Sequence, residues 1–197
     1  PLGFWQTDTY LDYSDGSPGK EYYFWVMASK SAGGYRDSDL SDPDTGWESP
    51  PDPENIQASQ GLYEDKVRIT WDEVSGANFY HVYRSEGKDK ATTYLDGYLE
   101  ATSYDDLEAE PGKLYYYWIK SIILNSSGSS HNSPMENYAR GMRKAYPPTV
   151  TATDGTETGH IKVTWDAVPN LPFYMLYRSD SLSGTKEEMF LFWKNSR

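Results

Sequence analysis

Hydrophobic and polar residues alternate with a period of two over several short stretches. Val67, Ile69 and Trp71 interleave with Arg68, Thr70 and Asp72, the pattern of a strand with one buried face. After the small residues Ser75-Gly76-Ala77, Tyr80 and Val82 continue the alternation against His81 and Tyr83. A third stretch, Tyr115-Tyr116-Tyr117-Trp118-Ile119-Lys120, opens on Pro111-Gly112. Proline presets φ at the second position of a turn and the glycine after it accepts a positive φ, so this pair predicts a turn feeding a strand. No stretch carries helical periodicity of useful length. Short strands between closely spaced turn signals predict an all-β sandwich.

The pattern repeats. Pro18-Gly19-Lys20-Glu21-Tyr22-Tyr23-Phe24-Trp25 returns as Pro111-Gly112-Lys113-Leu114-Tyr115-Tyr116-Tyr117-Trp118, an offset of 111 − 18 = 93. Independently, Val67-Arg68-Ile69-Thr70-Trp71-Asp72 returns as Ile161-Lys162-Val163-Thr164-Trp165-Asp166, an offset of 165 − 71 = 94, and Tyr83-Arg84-Ser85 returns as Tyr177-Arg178-Ser179. Two motifs with nearly one period define a unit of about 94 residues, the size of a domain. Residues 1–49 are expected to be the C-terminal half of one repeat, 50–146 a complete repeat, and 147–197 the N-terminal half of another. Pro50, Pro51 and Pro53, then Pro147 and Pro148, mark the junctions and stiffen them toward an extended geometry. Half a sandwich leaves strand edges unpaired and a core face open. Two arrangements answer that: a polypeptide that continues in both directions, or head-to-tail completion of one chain's front half by the next chain's back half.

These motifs resemble fibronectin type III repeats: a strand ending in Trp71-Asp72, then Tyr80-His81-Val82-Tyr83-Arg84, then Leu107 before Pro111-Gly112-Lys113-Leu114-Tyr115. The resemblance implies tandem immunoglobulin-like (fibronectin type III) β-sandwiches, with Trp71 and Trp165 in the core from the second strand and Tyr22 and Tyr115 forming the family's tyrosine corner. It spans the chain except Glu187 to Arg197, which matches the middle repeat poorly, while Phe192-Trp193 is similar to Phe4-Trp5. The tandem form is similar to repeats of large bacterial secreted and cell-surface proteins, which implies an extracellular or cell-surface setting.

Composition narrows the function classes. The chain has 197 residues, 18 Tyr, 7 Trp and no Cys, with 16% aromatics at a mean hydropathy of -0.78; bulky aromatics of this kind build cores and argue against disorder. A net charge of -12 disfavours nucleic acid, whose phosphates repel an anionic protein. Without cysteine there is neither disulfide nor thiolate zinc. The most apolar run, Ile122 to Leu124, is far short of the roughly 20 residues that a bilayer-spanning helix needs, so no membrane insertion is expected of this segment.

By alternation, Tyr83, Tyr116 and Trp118 are expected on the outer face of one sheet, with Tyr23 and Trp25 in front and Tyr177 behind as their counterparts. Such a stripe either steadies the sheet by cross-strand pairing or serves as a platform for sugar rings or lateral contact between arrays, multivalent because it recurs. Asp37-Ser38-Asp39-Leu40-Ser41-Asp42-Pro43-Asp44, and separately Asp105, Asp106 and Glu108, are candidate oxygen ligands for calcium, although the first run lacks the glycine and terminal glutamate of an EF-hand loop; a solvated acidic loop or edge is the simpler reading. His81, His131 and His160 have no metal-ligand spacing. No nucleophile, phosphate-loop or dinucleotide fingerprint is present, so no catalytic residue and no resident cofactor is expected. The sequence therefore points to a non-catalytic extracellular array, a spacer or an adhesive or fibre-forming module. Its partners would be neighbouring repeats, like chains, or a surface polysaccharide or protein. The alternative is an accessory region of a secreted carbohydrate-active enzyme.

Overall fold

A computed structural model describes residues 5–30, 38–89 and 92–189; Phe4, Asp37 and Phe192-Trp193 lie outside the described residues. The described residues form strands and no helix. In front, β1 (Glu21–Phe24) pairs with β2 (Asp44–Trp47). The middle region holds β3 (Gln57–Ala58), β4 (Val67–Thr70), β5 (Phe79–Ser85), β6 (Thr93–Leu99), β7 (Ser103–Asp106), β8 (Leu114–Leu124), β9 (Ser130–Asn132) and β10 (Tyr138–Met142). Behind it are β11 (Val150–Ala152), β12 (Val163–Trp165), β13 (Leu176–Arg178) and β14 (Glu187–Met189).

The middle region is an immunoglobulin-like sandwich with the strand order expected of the fibronectin type III fold. One antiparallel sheet runs β3-β4-β7, the other β10-β8-β5-β6 with β9 added to β8. The predicted alternation sets the faces. Val67, Ile69 and Trp71 from the first sheet meet Tyr80, Val82, Tyr115, Tyr117 and Ile119 from the second in one buried cluster, where each fully buried aliphatic or aromatic side chain contributes about 1.5–3 kcal/mol. Trp71 lies edge-on to Tyr80 with centroids 5.5 Å apart, and the Tyr80 hydroxyl accepts the Val74 N–H at 2.8 Å. The Pro111-Gly112 turn forms as expected: Gly112 has φ 72°, and the Glu110 N–H points at the Tyr115 hydroxyl at 3.5 Å.

One ion pair crosses the core. Arg84, inward-facing on β5, reaches Asp106 on β7 at 2.8 Å. Asp106 is buried and also accepts the Tyr117 hydroxyl at 2.8 Å and the Glu108 N–H at 3.1 Å. The guanidinium stacks 4.7 Å above the Tyr115 ring. Burial, then the Asp106 charge and hydrogen bond, push the Tyr117 hydroxyl far above the ordinary tyrosine range. A low-dielectric site of this kind tolerates the charges because every lone pair has a donor.

The outer segments carry the same hydrogen bonds at the same spacing. Tyr22 accepts the Ser17 N–H at 3.1 Å as Tyr115 faces Glu110, and Gly19 has the φ 72° of Gly112. Behind, Tyr174 accepts the Val168 N–H at 2.7 Å as Tyr80 does Val74, and Trp165 packs on Tyr174 at 5.7 Å as Trp71 does on Tyr80. The Thr151–Thr164 register of β11 and β12 is that of Gln57 with Thr70. Glu187–Met189, a stretch with poor sequence match, pairs with β13 as β6 pairs with β5; backbone pairing needs only an extended chain, not a matching side chain. Among the described residues, β1–β2, β11–β12 and β13–β14 are each two-stranded.

Replacing Asp106 by alanine strands Arg84 and the Tyr117 hydroxyl in the core, so the expected loss is about 3–5 kcal/mol, against roughly 1–2 kcal/mol for Tyr117→Phe. Urea unfolding at constant slope measures both; equal, small losses would show that the pair is not a core element.

Candidate interaction face

The outer face of the β10-β8-β5-β6 sheet is built from the alternate residues of strands whose other residues fill the core. β5 and β8 run in register, with Tyr83 opposite Trp118 and His81 opposite Lys120. β10 places Tyr138 opposite Trp118 and Arg140 opposite Tyr116. Two aromatic clusters result. Tyr116 stacks on Trp118 at 6.2 Å and both touch Tyr138, at 5.6 and 5.7 Å. Tyr83 meets Tyr94 at 5.5 Å, and His81 meets Tyr94 and Tyr98 at 5.4 and 5.7 Å. Lys88 lies over Tyr138 and Lys120 over Tyr83, so this face of an acidic chain carries cations among its rings.

The sequence expectation needs one correction. Trp118 is on the outer face as the alternation predicts, but only 5% of it is exposed, because Tyr138 and Tyr116 flank it. Its role is to anchor the sheet rather than to offer a free ring. Tyr83 and Tyr116 are half-buried. Tyr23, Trp25 and Tyr177 are exposed, and Tyr23 stacks on Trp25 at 6.3 Å as Tyr116 does on Trp118. Tyr177 instead donates its hydroxyl to Glu188 at 3.3 Å, the residue that stands where Tyr94 does on β6. The stripe is thus discontinuous: two ring clusters in the middle sheet, the Tyr23–Trp25 pair in front, and Tyr177 against Glu188 behind. Reading along single strands missed Tyr94, Tyr98 and Tyr138, which come from neighbouring strands; the aromatic spacing in Thr93–Leu99 was the available signal for the first two. Tyr98 reaches the face through a bulge: it has φ 60°, the β5–β6 register shifts beside it, and a Cβ on Gly97 would run into Tyr94 Oη and His81 Cδ2.

Of the candidate calcium residues, Asp105 and Asp106 are paired with cations of the chain. Asp105 receives Lys66 at 2.8 Å and Arg68 at 2.9 Å, and Asp106 is the core carboxylate described above. In the front acidic stretch, Ser41 and Ser38 accept the backbone N–H groups of Val26 and Ala28, and Asp44 caps Thr45 at the start of β2. No three metal-ligating carboxylate or imidazole side chains come together among the described residues. A cleft of about 520 Å³ beside Arg84 and Tyr115 is edged by Glu86, Glu108 and Glu110, and Lys113 bridges Glu86 and Glu110 at 2.7 Å each. No helix of the described residues is long and apolar enough to cross a membrane.

No family model matches the chain, and no curated protein does. Among solved structures it is similar to an Fn3-like protein from Clostridium thermocellum, with 24% identity over 49% of this chain and 95% of that one, at a TM-score of 0.42. A protein called FN3tt is 18% identical over 48% and 97%, at 0.39. The FN1-FN3 domains of chicken CNTN1 are 20% identical over 86% of this chain and 62% of that one, at 0.38.

His81 supplies a pH test of this face. Its Nε2 is buried without a hydrogen-bond partner, and burial, then the nearby Lys120, lower its pKa. The unfolded chain takes up a proton as pH falls below about 6.5, whereas the folded chain resists it, so this contribution is present above that pH and lost below it. The urea midpoint is expected to drop between about pH 7 and 5 and to do so less in His81→Phe; identical slopes would contradict the assignment.

Proposed function

We propose that the chain is a section of a tandem array of fibronectin type III-like repeats that acts outside the cell as a non-catalytic spacer with an interaction face. Residues 1–49 and 147–197 are, in this reading, the C-terminal and N-terminal halves of repeats flanking the sandwich of 50–146. The observation that carries it is the recurrence of one set of hydrogen bonds through the chain. Ser59 and Arg68 exchange two bonds, Ser59 N–H to Arg68 O and Arg68 N–H to Ser59 Oγ, and Thr153 and Lys162 exchange the same two 94 residues on.

The junctions support a spacer. At both, the glycine of the Pro-Gly turn faces the region that follows: Gly19 against Ile123, and Gly112 against the Pro169 carbonyl and Leu171. In front, Trp47 packs on His131 at 4.1 Å, Pro50 and Pro53 are fully buried, and Ser121 donates to the Pro51 carbonyl at 2.7 Å. A linker fixed in this way transmits direction rather than swinging. The aromatic face supports binding. The exposed Tyr23–Trp25 pair, with the partly exposed Tyr116 and the exposed Tyr138 one repeat on, suits a polysaccharide or an extended protein, held by several weak contacts at once. The exposed Tyr23–Trp25 pair equally suits an accessory region of a carbohydrate-active enzyme, and a catalytic domain in the same polypeptide would favour that second reading.

The intact mass of the natural polypeptide, measured under denaturing conditions from source material, is expected to lie far above 22.5 kDa. A mass near that value would contradict a long array.

A further inference from the structure

The outer face of the middle sheet carries a row of rings that no single strand contains. Tyr138 of β10, Trp118 of β8, Tyr83 of β5 and Tyr94 of β6 stand opposite one another across four adjacent strands. Three strand spacings make the row roughly 14 Å long. Trp118 is its buried floor, while Tyr138 and Tyr94 at the two ends are 38% and 50% exposed. An extended ligand lying across the strands would meet one ring after another.

Electrostatics sets this face apart from the rest of the chain. Lys66, Arg68, Arg84, Lys113, Lys144 and Arg178 each meet a carboxylate at 2.7 to 3.3 Å. Lys88, Lys120 and Arg140 meet none among the described residues, although acidic residues outnumber basic ones by 30 to 18. Instead Lys88 lies 5.5 Å from the Tyr138 ring, Lys120 lies 6.0 Å from the Tyr83 ring, and Arg140 is exposed opposite Tyr116. Net charge governs the field at long range, but within the Debye length of about 8 Å at physiological salt the groups of the face decide. A DNA duplex, with a charge every ~1.7 Å along its axis, is repelled by so acidic a chain. A polyuronate carries at most one carboxylate per sugar, and each pyranose ring offers an apolar face of C–H bonds between the charges.

Backbone strain marks the same place. Tyr98 has φ 60°, a conformation that disfavours any residue with a Cβ. The bulge beside it leaves the ring 73% exposed, resting on Phe79 and His81 at 5.4 and 5.7 Å. Bulges are over-represented beside binding sites, where they re-aim a side chain. Asp96, between Tyr94 and Tyr98, holds its carboxylate on the Gly97 N–H at 2.7 Å.

We propose that this row, extended by Tyr98, binds a carboxylate-bearing polysaccharide, with sugar rings against the tyrosines and uronate groups on Lys88, Lys120 and Arg140. The proposal rests on the reading of this face as an interaction face, and it narrows the ligand from polysaccharides and extended proteins in general to polyuronates.

Isothermal titration of the full 197-residue chain in calcium-free buffer tests it, with polygalacturonate, alginate, hydroxyethylcellulose and poly-glutamate as ligands. Polygalacturonate or alginate is expected to bind at least about tenfold more tightly than the neutral glycan or the acidic peptide, and less tightly as salt is raised. Lys120→Gln with Arg140→Gln is expected to cost about tenfold, and Lys120→Arg to retain binding. Tyr98→Gly, which suits the positive φ, is expected to keep the urea midpoint while weakening binding by about tenfold. Equal binding of hydroxyethylcellulose overturns the need for charge, and equal binding of poly-glutamate overturns the need for sugar; either result leaves an interaction face standing. Binding indifferent to these variants overturns the proposed site. No binding of any of the four overturns the proposal and the interaction face together, while the array reading still stands or falls on the mass of the natural polypeptide.

Discussion

The pairing of β5 with β8 is the constraint on which the rest of this structure depends. It joins residues 31 to 43 apart in sequence, from Ser85 opposite Tyr116 to Phe79 opposite Ile122. Tyr80 and Val82 are thereby set beside Tyr117 and Ile119 on the inner side, and Tyr83 beside Trp118 on the outer. Core and outer face are two consequences of one register, since a shift of a single residue would exchange them. Where the pair exists, Ile119 and Val82 are wholly buried. Where it does not, the corresponding Val26 is exposed and Leu176 only half-buried.

The local structure of the outer segments survives without that pairing because their bonds are short in range. A tyrosine hydroxyl bound to an N–H five or six residues back, a Pro-Gly turn, and a two-stranded ribbon each form from neighbouring residues. What such units cannot supply is a second sheet to cover the apolar side, and isolated ribbons are marginal in water. The same logic explains the polar core. Arg84 and Asp106 come from different sheets and meet only when the sandwich closes, so the ion pair reports on closure in a way that Tyr80 with Val74 does not.

Much of this was legible in the sequence. Alternation identified the three principal strands of the middle region and their inward residues, and the Pro-Gly pair located the turn. Alternation names a side, however, and not what covers it: Trp118 faces outward and is buried all the same, by Tyr138 across the sheet. Asp105 and Asp106 looked alike as neighbouring acids, yet adjacent residues of a strand face opposite ways, so Asp105 meets Lys66 and Arg68 outside while Asp106 meets Arg84 within. The place of Tyr98 depends on a bulge with positive φ at a non-glycine residue, which a two-residue period does not foresee. The pairing of Glu187–Met189 was invisible for a different reason, since its backbone register needs no residue match to the middle repeat, and Glu187 and Glu188 meet Arg178 and Tyr177 in place of the residues of β6.

Backbone amide hydrogen exchange, read along the whole chain in dilute solution, tests most directly whether β5–β8 pairing sets the closed middle sandwich apart from the two-stranded ribbons on either side. Amides of β4, β5 and β8 should open only with global unfolding, while those of β1, β12 and β13 should exchange by local opening at far lower cost. Uniform protection from β1 through β14 in the dilute monomer would contradict the account.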